Sequence, residues 1–360
     1  MTRTRASWRA STGSARPTRS PGGCGTRSTS LAVEDAADAA PATATDRRQP
    51  EPRRPTRYTG LRRRHPGTLR DHEHARRTII PPSIISSRFS FRISVVNLRS
   101  PREIAAMRRA GLVVWAAHQL ARSLVRPGIT TLEIDAQIEA FFEKHSATPL
   151  FKGVPGKVPF PAVCCMSVND EVVHGIPSSR VLVEGDIVSI DTGCSVGGWC
   201  GDSAVTYPVG GVSDEVQELL DCTSGVLALA IELMGQRSRW SDVASEMASY
   251  VRDRGFSVVE NFVGHGIGRT MHEDPQVPNF CSPQYRRNHD FRLEPGLVIA
   301  VEPMVNMGSK RVRALPDHWT QATVDGKPSA HFEHTVAITE SGPVVLTAAP
   351  ANGESVGDAA

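Results

Sequence analysis

Glu302 and Glu333 each stand in the middle of an apolar run, LVIAVEPMV and AHFEHTVAI, that otherwise reads as a β-strand. A buried carboxylate without a partner is expensive, so any fold that accepts these runs must bring compensating charge to both acids. Three further residues complete a set along the same half of the chain: Asp191 in SIDTGC, Asp202 in GDSA and His265 in GHGIG. Four carboxylates and one imidazole are hard, oxygen-rich donors. They suit one or two divalent cations of the Mn, Fe or Co kind better than a closed structural zinc site. His174 in EVVHGIP and His272 in GRTMHEDP lie beside these segments without matching their pattern. The set as a whole reads as a two-metal hydrolytic centre with two catalytic histidines. Each member alone has a plainer reading, an Asp at a strand end as a turn residue or a glycine-flanked His as a loop residue.

Local sequence supplies the expected geometry. VLVEGDIVSID reads as a strand ending at Asp191, CSVGGW as a hairpin turn and GDSAVTYPV as the returning strand. That hairpin would bring Asp191 and Asp202 side by side on paired strands. In AHFEHTVAI, His331, Glu333 and Thr335 share a face by period two, with Phe332 and Val336 on the other. Pro101 is expected to open a helix running to about Leu124. Thr130 and Glu133 form a capping box ahead of Ile134, Ile138, Phe141 and Phe142. Ser241 is expected to cap a helix carrying Val243, Met247, Tyr250 and Val251 and stopping at Gly255. The two apolar quartets repeat at a constant offset of 109 residues, which hints at two related halves.

Charge divides the chain near residue 93. Residues 1–90 hold 18 Arg, no Lys and 7 acidic residues, a net +11; the whole chain is +3, so the remainder is close to −8. Residues 1–92, rich in Arg, Pro and Ser without helical or strand period, are expected to be a disordered extension. An upstream-start artefact, a ribosomal-RNA contact through phosphate neutralisation and a transit peptide are further readings of the same segment. Residues 93–349 are expected to form one catalytic domain, followed by a flexible tail over 350–360. No run of 18 apolar residues exists to span a membrane. Seven cysteines without a CxxC framework favour reduced thiols, hence a cytoplasmic protein.

From about Val96 to Leu346 the chain resembles the bacterial type I methionine aminopeptidases. The resemblance rests on NLRSPREIAAMRRAG, SVNDEVVHGIP, DIVSIDTG, GDSAVTYPVG, GHGIGRTMHEDP, LEPGLVIAVEPMV and DGKPSAHFEHTVAIT. It implies an α/β (α+β) pita-bread fold with pseudo-twofold halves, an antiparallel sheet covered by helices. It also implies two divalent cations (Co, Mn, Fe or Zn) and removal of the initiator Met from nascent chains when the second residue is small. By the same resemblance Asp191 chelates one cation, Asp202 and Glu333 bridge both, and His265 and Glu302 complete the other. Glu302 also serves as general base, His272 donates to the scissile carbonyl oxygen, and His174 contacts the scissile amide nitrogen. The Met pocket falls to Phe160, Cys165, Met271 and Trp319, with Cys164 beside it; His318 stands where the family commonly has Gly. Only 31 residues separate Glu302 from Glu333, too few for the insertion of type II members. The implied partners are N-terminal Met peptides and nascent chains, with a possible ribosome contact, no membrane, no specific nucleic acid and a monomeric state. Two other readings are an Xaa-Pro-directed peptidase of the same fold and a non-catalytic module that binds peptides or RNA.

Overall fold

Capping chemistry sets the first two helices. The protein is described from a computed structural model, which covers residues 96–351 and 353–356. The expected extension over 1–92 therefore lies outside the described residues. Helix α1 spans Pro101–Leu124, and Ser100 and Glu103 form a capping box ahead of it, with Pro101 at the first position. Helix α2 spans Thr131–Lys144 behind the Thr130 and Glu133 box that the spacing predicts. Each box satisfies two amide donors that a helix start would otherwise leave orphaned.

The strands of the first half follow as β1 (Thr148–Pro149), β2 (Cys164–Val168), β3 (Glu171–Val173), β4 (Ile187–Val196) and β5 (Trp199–Pro208). The expected hairpin is β4–β5, closed by Gly197 and Gly198 between the paired Val196 and Trp199. Both glycines have positive φ, 58° and 75°, as a two-residue turn matched to strand twist requires. β1 and β2 pair along the other edge of β4.

Helices α3 (Asp214–Met234) and α4 (Trp240–Arg252) open the second half. Ser241 does not cap α4, which begins one residue earlier. Its amide and hydroxyl instead donate to Asp290, at 2.9 and 2.8 Å, so a carboxylate 49 residues away supplies the acceptors that a serine cap would. The remaining strands are β6 (Ser257–Val258), β7 (Gly264–Gly266), β8 (Glu273–Val277), β9 (Val298–Val301) and β10 (Met304–Asn306). They are followed by β11 (Val312–Ala314), β12 (Gln321–Thr323), β13 (Ser329–His331), β14 (His334–Thr339) and β15 (Gly342–Val345). All pairings between named strands are antiparallel, in sheets ordered β15-β14-β9-β7-β8, β13-β10-β6 and β11-β12-β3 beside the β4 sheet.

The runs around Glu302 and Glu333 are not the continuous strands that their alternation suggests. Each is broken at its glutamate. β9 pairs with β14 up to Val301 opposite His334, and β10 pairs with β13 from Met304 opposite His331. The two acids thus occupy one shared gap, where Pro303 has no amide to give to a ladder. The Glu333 amide donates instead to the Ala204 carbonyl of β5, at 2.8 Å, and ties the second half to the first.

Two cores underlie these halves. Ile134, Ile138 and Phe142 of α2 pack with Met166 and Ile190, while Val243, Met247 and Val251 of α4 pack with Trp240 and Ile299. All six helix residues are fully buried, and the fourth member of each quartet, Phe141 or Tyr250, is half-buried. Burial thus matches the 109-residue offset position by position. Full burial of each such side chain is worth about 1.5–3 kcal/mol.

Candidate metal centre

The β4–β5 register puts Asp191 opposite Ala204 and Asp202 opposite Gly193. The two aspartates therefore share a face in diagonal register, not the directly opposed one that a side-by-side pair would have. Diagonal neighbours stand about 7–8 Å apart at Cα, which leaves space between the carboxyl groups. Gly193 is what makes that space: a Cβ there would lie 2.8 Å from Asp202 Oδ1. Asp202 is fixed by its backbone, its amide donating to Thr335 Oγ1 at 3.0 Å and its carbonyl accepting from the same hydroxyl at 2.8 Å. Ser203 Oγ donates to the Glu333 carbonyl at 2.6 Å. These links hold β5 against the gap containing Glu302 and Glu333.

One ligating atom each from Asp202, His265 and Glu333 lies within 4.8 Å of the others. Glu302 stands beside them, with Oε1 3.5 Å from His265 Nε2. His265 Nδ1 lies 3.0 Å from the Gly266 carbonyl oxygen, which can only accept, so Nδ1 carries the proton. Nε2 is left with its lone pair toward the acids, the orientation a metal ligand needs. Burial, with His272 next, lowers the His265 pKa to about 3 and keeps the ring neutral.

The buried oxygens Asp191 Oδ1, Asp202 Oδ1 and Glu333 Oε1 have no hydrogen-bond partner. Four carboxyl groups packed out of water cannot all ionise without compensation. Burial raises the Asp202 pKa to about 7. It raises Asp191, Glu302 and Glu333 well above the carboxylate range, and the neighbouring acids add to each shift. Divalent cations among these groups would remove both the repulsion and the unmet acceptors, so the donor set fits such ions.

His174 and His272 approach the same place from two loops. β3 pairs with β12, which brings His174, just after β3, against Trp319, just before β12. The His174 ring meets Phe262 and Trp319 edge-on at 5.5 and 6.4 Å, and its backbone takes a φ of 60°. Burial first and His272 second lower its pKa to about 4. His272 packs edge-on against His265 at 4.3 Å, and desolvation lowers its pKa also. Two neighbours fall outside the expected site residues. His331 is buried with Nε2 3.9 Å from Glu302 Oε2, a position that its shared face with Glu333 signals. Phe262 in ENFVGHG has no comparable sequence signal.

Phe160, Cys165 and Trp319 come together with Phe151 and Ala162, and Met271 packs against them. Phe160 meets Trp319 edge-on at 5.2 Å, and Trp319 Nε1 donates to the Val158 carbonyl at 2.8 Å. Asp317 Oδ1 accepts the amides of Trp319 and Thr320, both at 2.9 Å, while His318 takes a φ of 70°. Cys165 of β2 lies directly opposite Asp191 of β4, so this apolar cluster adjoins the acidic one. Cys164 belongs to the core beneath α1 and α2 instead.

A cluster of aromatic and sulfur-bearing side chains thus stands beside a carboxylate–imidazole set able to hold divalent cations, and residues 105–340 match the model of metallopeptidase family M24. The chain belongs to that family. Within it, the likeness is to the methionine aminopeptidases. Methionine aminopeptidase 1 of Bacillus subtilis is 48% identical over 253 residues, covering 70% of this chain and 99% of that protein. The crystal structure of methionine aminopeptidase from Thermotoga maritima superposes with a TM-score of 0.66 at 41% identity, covering 70% of this chain and 99% of that one. The Xaa-Pro dipeptidase from Bacillus anthracis shares the fold, with a TM-score of 0.53 at 22% identity, over 70% of this chain and 62% of that one. Among the described residues no helix is long and apolar enough to cross a membrane.

Proposed function

We infer that this chain is a metal-dependent aminopeptidase that removes the initiator methionine from peptides and nascent proteins whose second residue is small. The observation that carries this reading is the adjacency of the apolar cluster and the acids through the opposed Cys165 and Asp191. Asp191, Asp202, His265, Glu302 and Glu333 would hold two divalent cations, with Mn, Fe, Co and Zn all compatible with oxygen and imidazole donors. Such cations supply Lewis acidity and lower the pKa of water toward neutrality.

The chain's own groups then have separate tasks. Glu302 takes the proton from the attacking water as its oxygen bonds to the carbonyl carbon. His272 donates to the carbonyl oxygen as charge develops there. His174, held between Phe262 and Trp319, meets the scissile nitrogen as the C–N bond breaks and the nitrogen receives the proton that Glu302 took from the water. Phe160, Cys165, Met271 and Trp319 receive the thioether, which packs well against aromatic edges.

The test is mass spectrometry of the full chain with added Mn or Co acting on Met-Ala-Ser, Met-Lys-Ser, Leu-Ala-Ser and Ala-Pro-Ser. Release of Met from Met-Ala-Ser alone, abolished by a chelator, is the expected result. Cleavage of Ala-Pro-Ser would move the activity to proline-directed peptides. Absence of cleavage with every metal would leave a binding module.

A further inference from the structure

Behind His272 lies a charged cluster that the reaction scheme does not use. Glu273 Oε1 accepts the amides of Arg269 and Thr270, at 2.9 and 3.2 Å. Its Oε2 forms an ion pair with Arg99 and accepts from Asn97 Nδ2 at 3.4 Å. Both partners of the ion pair are 11% exposed, so the pair is shielded from solvent and salt. The Arg99 amide donates to the Gly296 carbonyl, which anchors the cation's own backbone to the second half.

The same loop is tied a second time. The Arg269 guanidinium lies 3.7 Å from the Trp199 ring centre and donates to the Gly198 carbonyl at 3.2 Å. Arg99 faces that ring at 5.4 Å. Residues 268–272 are thus strapped between the β4–β5 turn and the segment 97–99. They carry Met271 of the pocket and His272, whose ring touches His265.

We propose that Glu273 is a positioning residue for His272, with Arg99 the counter-charge that holds Glu273 in place. One carboxylate oxygen gathers the loop amides while the other is pinned by Arg99, so the loop has one conformation available at His272. Loops without such ties open at little cost, and a misplacement of about 1 Å at a reacting group costs on the order of a hundredfold in rate. The inference rests on the role given to His272 above.

The test uses the full chain with Mn or Co and Met-Ala-Ser as substrate. Glu273→Ala is expected to lower kcat by about 30-fold, a fraction of that positional limit. Glu273→Gln, which keeps an acceptor toward the loop, should recover most of it, and Arg99→Lys should outperform Arg99→Ala. In a His272→Ala background, adding Glu273→Ala should cost less than about twofold, because coupled residues do not lose independently. An equal loss in both backgrounds would overturn the proposal, as would wild-type kcat in Glu273→Ala or in His272→Ala. A second readout needs neither metal nor turnover: amide exchange of the peptide spanning 268–273, followed by mass spectrometry. Faster exchange in Glu273→Ala is expected, and unchanged exchange would overturn the clamp. Failure of the wild-type chain to cleave Met-Ala-Ser would refute the aminopeptidase reading and leave this exchange result to decide the clamp.

Discussion

Glu333 carries more than one duty within a few ångströms. Its amide bridges to Ala204, its carbonyl accepts from Ser203, and its Oε1 is buried without a partner. Glu333→Ala keeps the backbone links and removes only the carboxylate. Turnover of Met-Ala-Ser is expected to fall below detection, and bound metal, read by elemental analysis after dialysis, should drop by at least one ion per chain. Wild-type turnover would sink the ligand assignment. Gly193→Ala probes the same centre from the other side, since its Cβ would press on Asp202 Oδ1 and lie 3.0 Å from the Gly201 carbonyl. Calorimetry with Mn is expected to show affinity weakened at least tenfold, about 1.4 kcal/mol; unchanged affinity would mean that the strand yields. Glu302 and Glu333 stand out in sequence because a carboxylate inside an apolar run is too costly to keep without a cation or a proton to offset it, whereas Asp191, Asp202 and His265 stand out only with the motifs around them. His331 is signalled only by the face that it shares with Glu333, and Phe262 by nothing, since a phenyl ring is at home in an ordinary core as well.

Elements are legible where one local rule decides them, and less so where a distant partner does. The Thr130 box and the Gly197–Gly198 turn follow from neighbours in sequence. The start of α4 depends on Asp290, and the breaks at Glu302 and Glu333 leave the apolar alternation intact, so neither has a local signature. The contact between α1 and β5 is a further long-range feature, centred on His118. Its Nε2 lies 2.9 Å from the Ser203 carbonyl and its Nδ1 3.1 Å from Tyr207 Oη, which itself donates to the His118 carbonyl at 3.0 Å. Burial lowers the His118 pKa from 6.5 to about 4. With the folded value depressed, the unfolded chain binds the extra proton between those two values. The stabilisation is therefore complete above pH 6.5 and is lost as pH falls toward 4, on the order of 3 kcal/mol over the window. His118→Gln is expected to lose less stability than the wild type between pH 7 and 4.5, measured by urea unfolding of the metal-free chain. Equal losses would show that His118 does not enter the folded state as a neutral ring.

The chain joins a basic first quarter to a remainder of opposite net charge, and the residues given roles in the proposed reaction all lie in the second part. Every residue assigned to the site falls between Phe160 and Glu333, and the segment that braces it begins at Asn97. The match to the Bacillus subtilis relative uses 70% of this chain yet 99% of that protein, so the additional residues have no counterpart there. The net +11 of residues 1–90 suits a polyanion contact, with a salt dependence that a small neutral tripeptide would not feel. A chain starting at residue 93 should therefore cleave Met-Ala-Ser within about twofold of the full-length rate at any ionic strength, because it keeps Asn97, Arg99 and the capping box of α1. Binding to heparin or ribosomal RNA is the property such a truncation is expected to lose. Cutting seven residues further, through Arg99, removes the counter-charge of Glu273 and should reproduce the kcat of Arg99→Ala, even though no residue of the metal centre or pocket has gone. A hundredfold loss on removing residues 1–92 alone would place part of the active site in the basic segment and overturn this division.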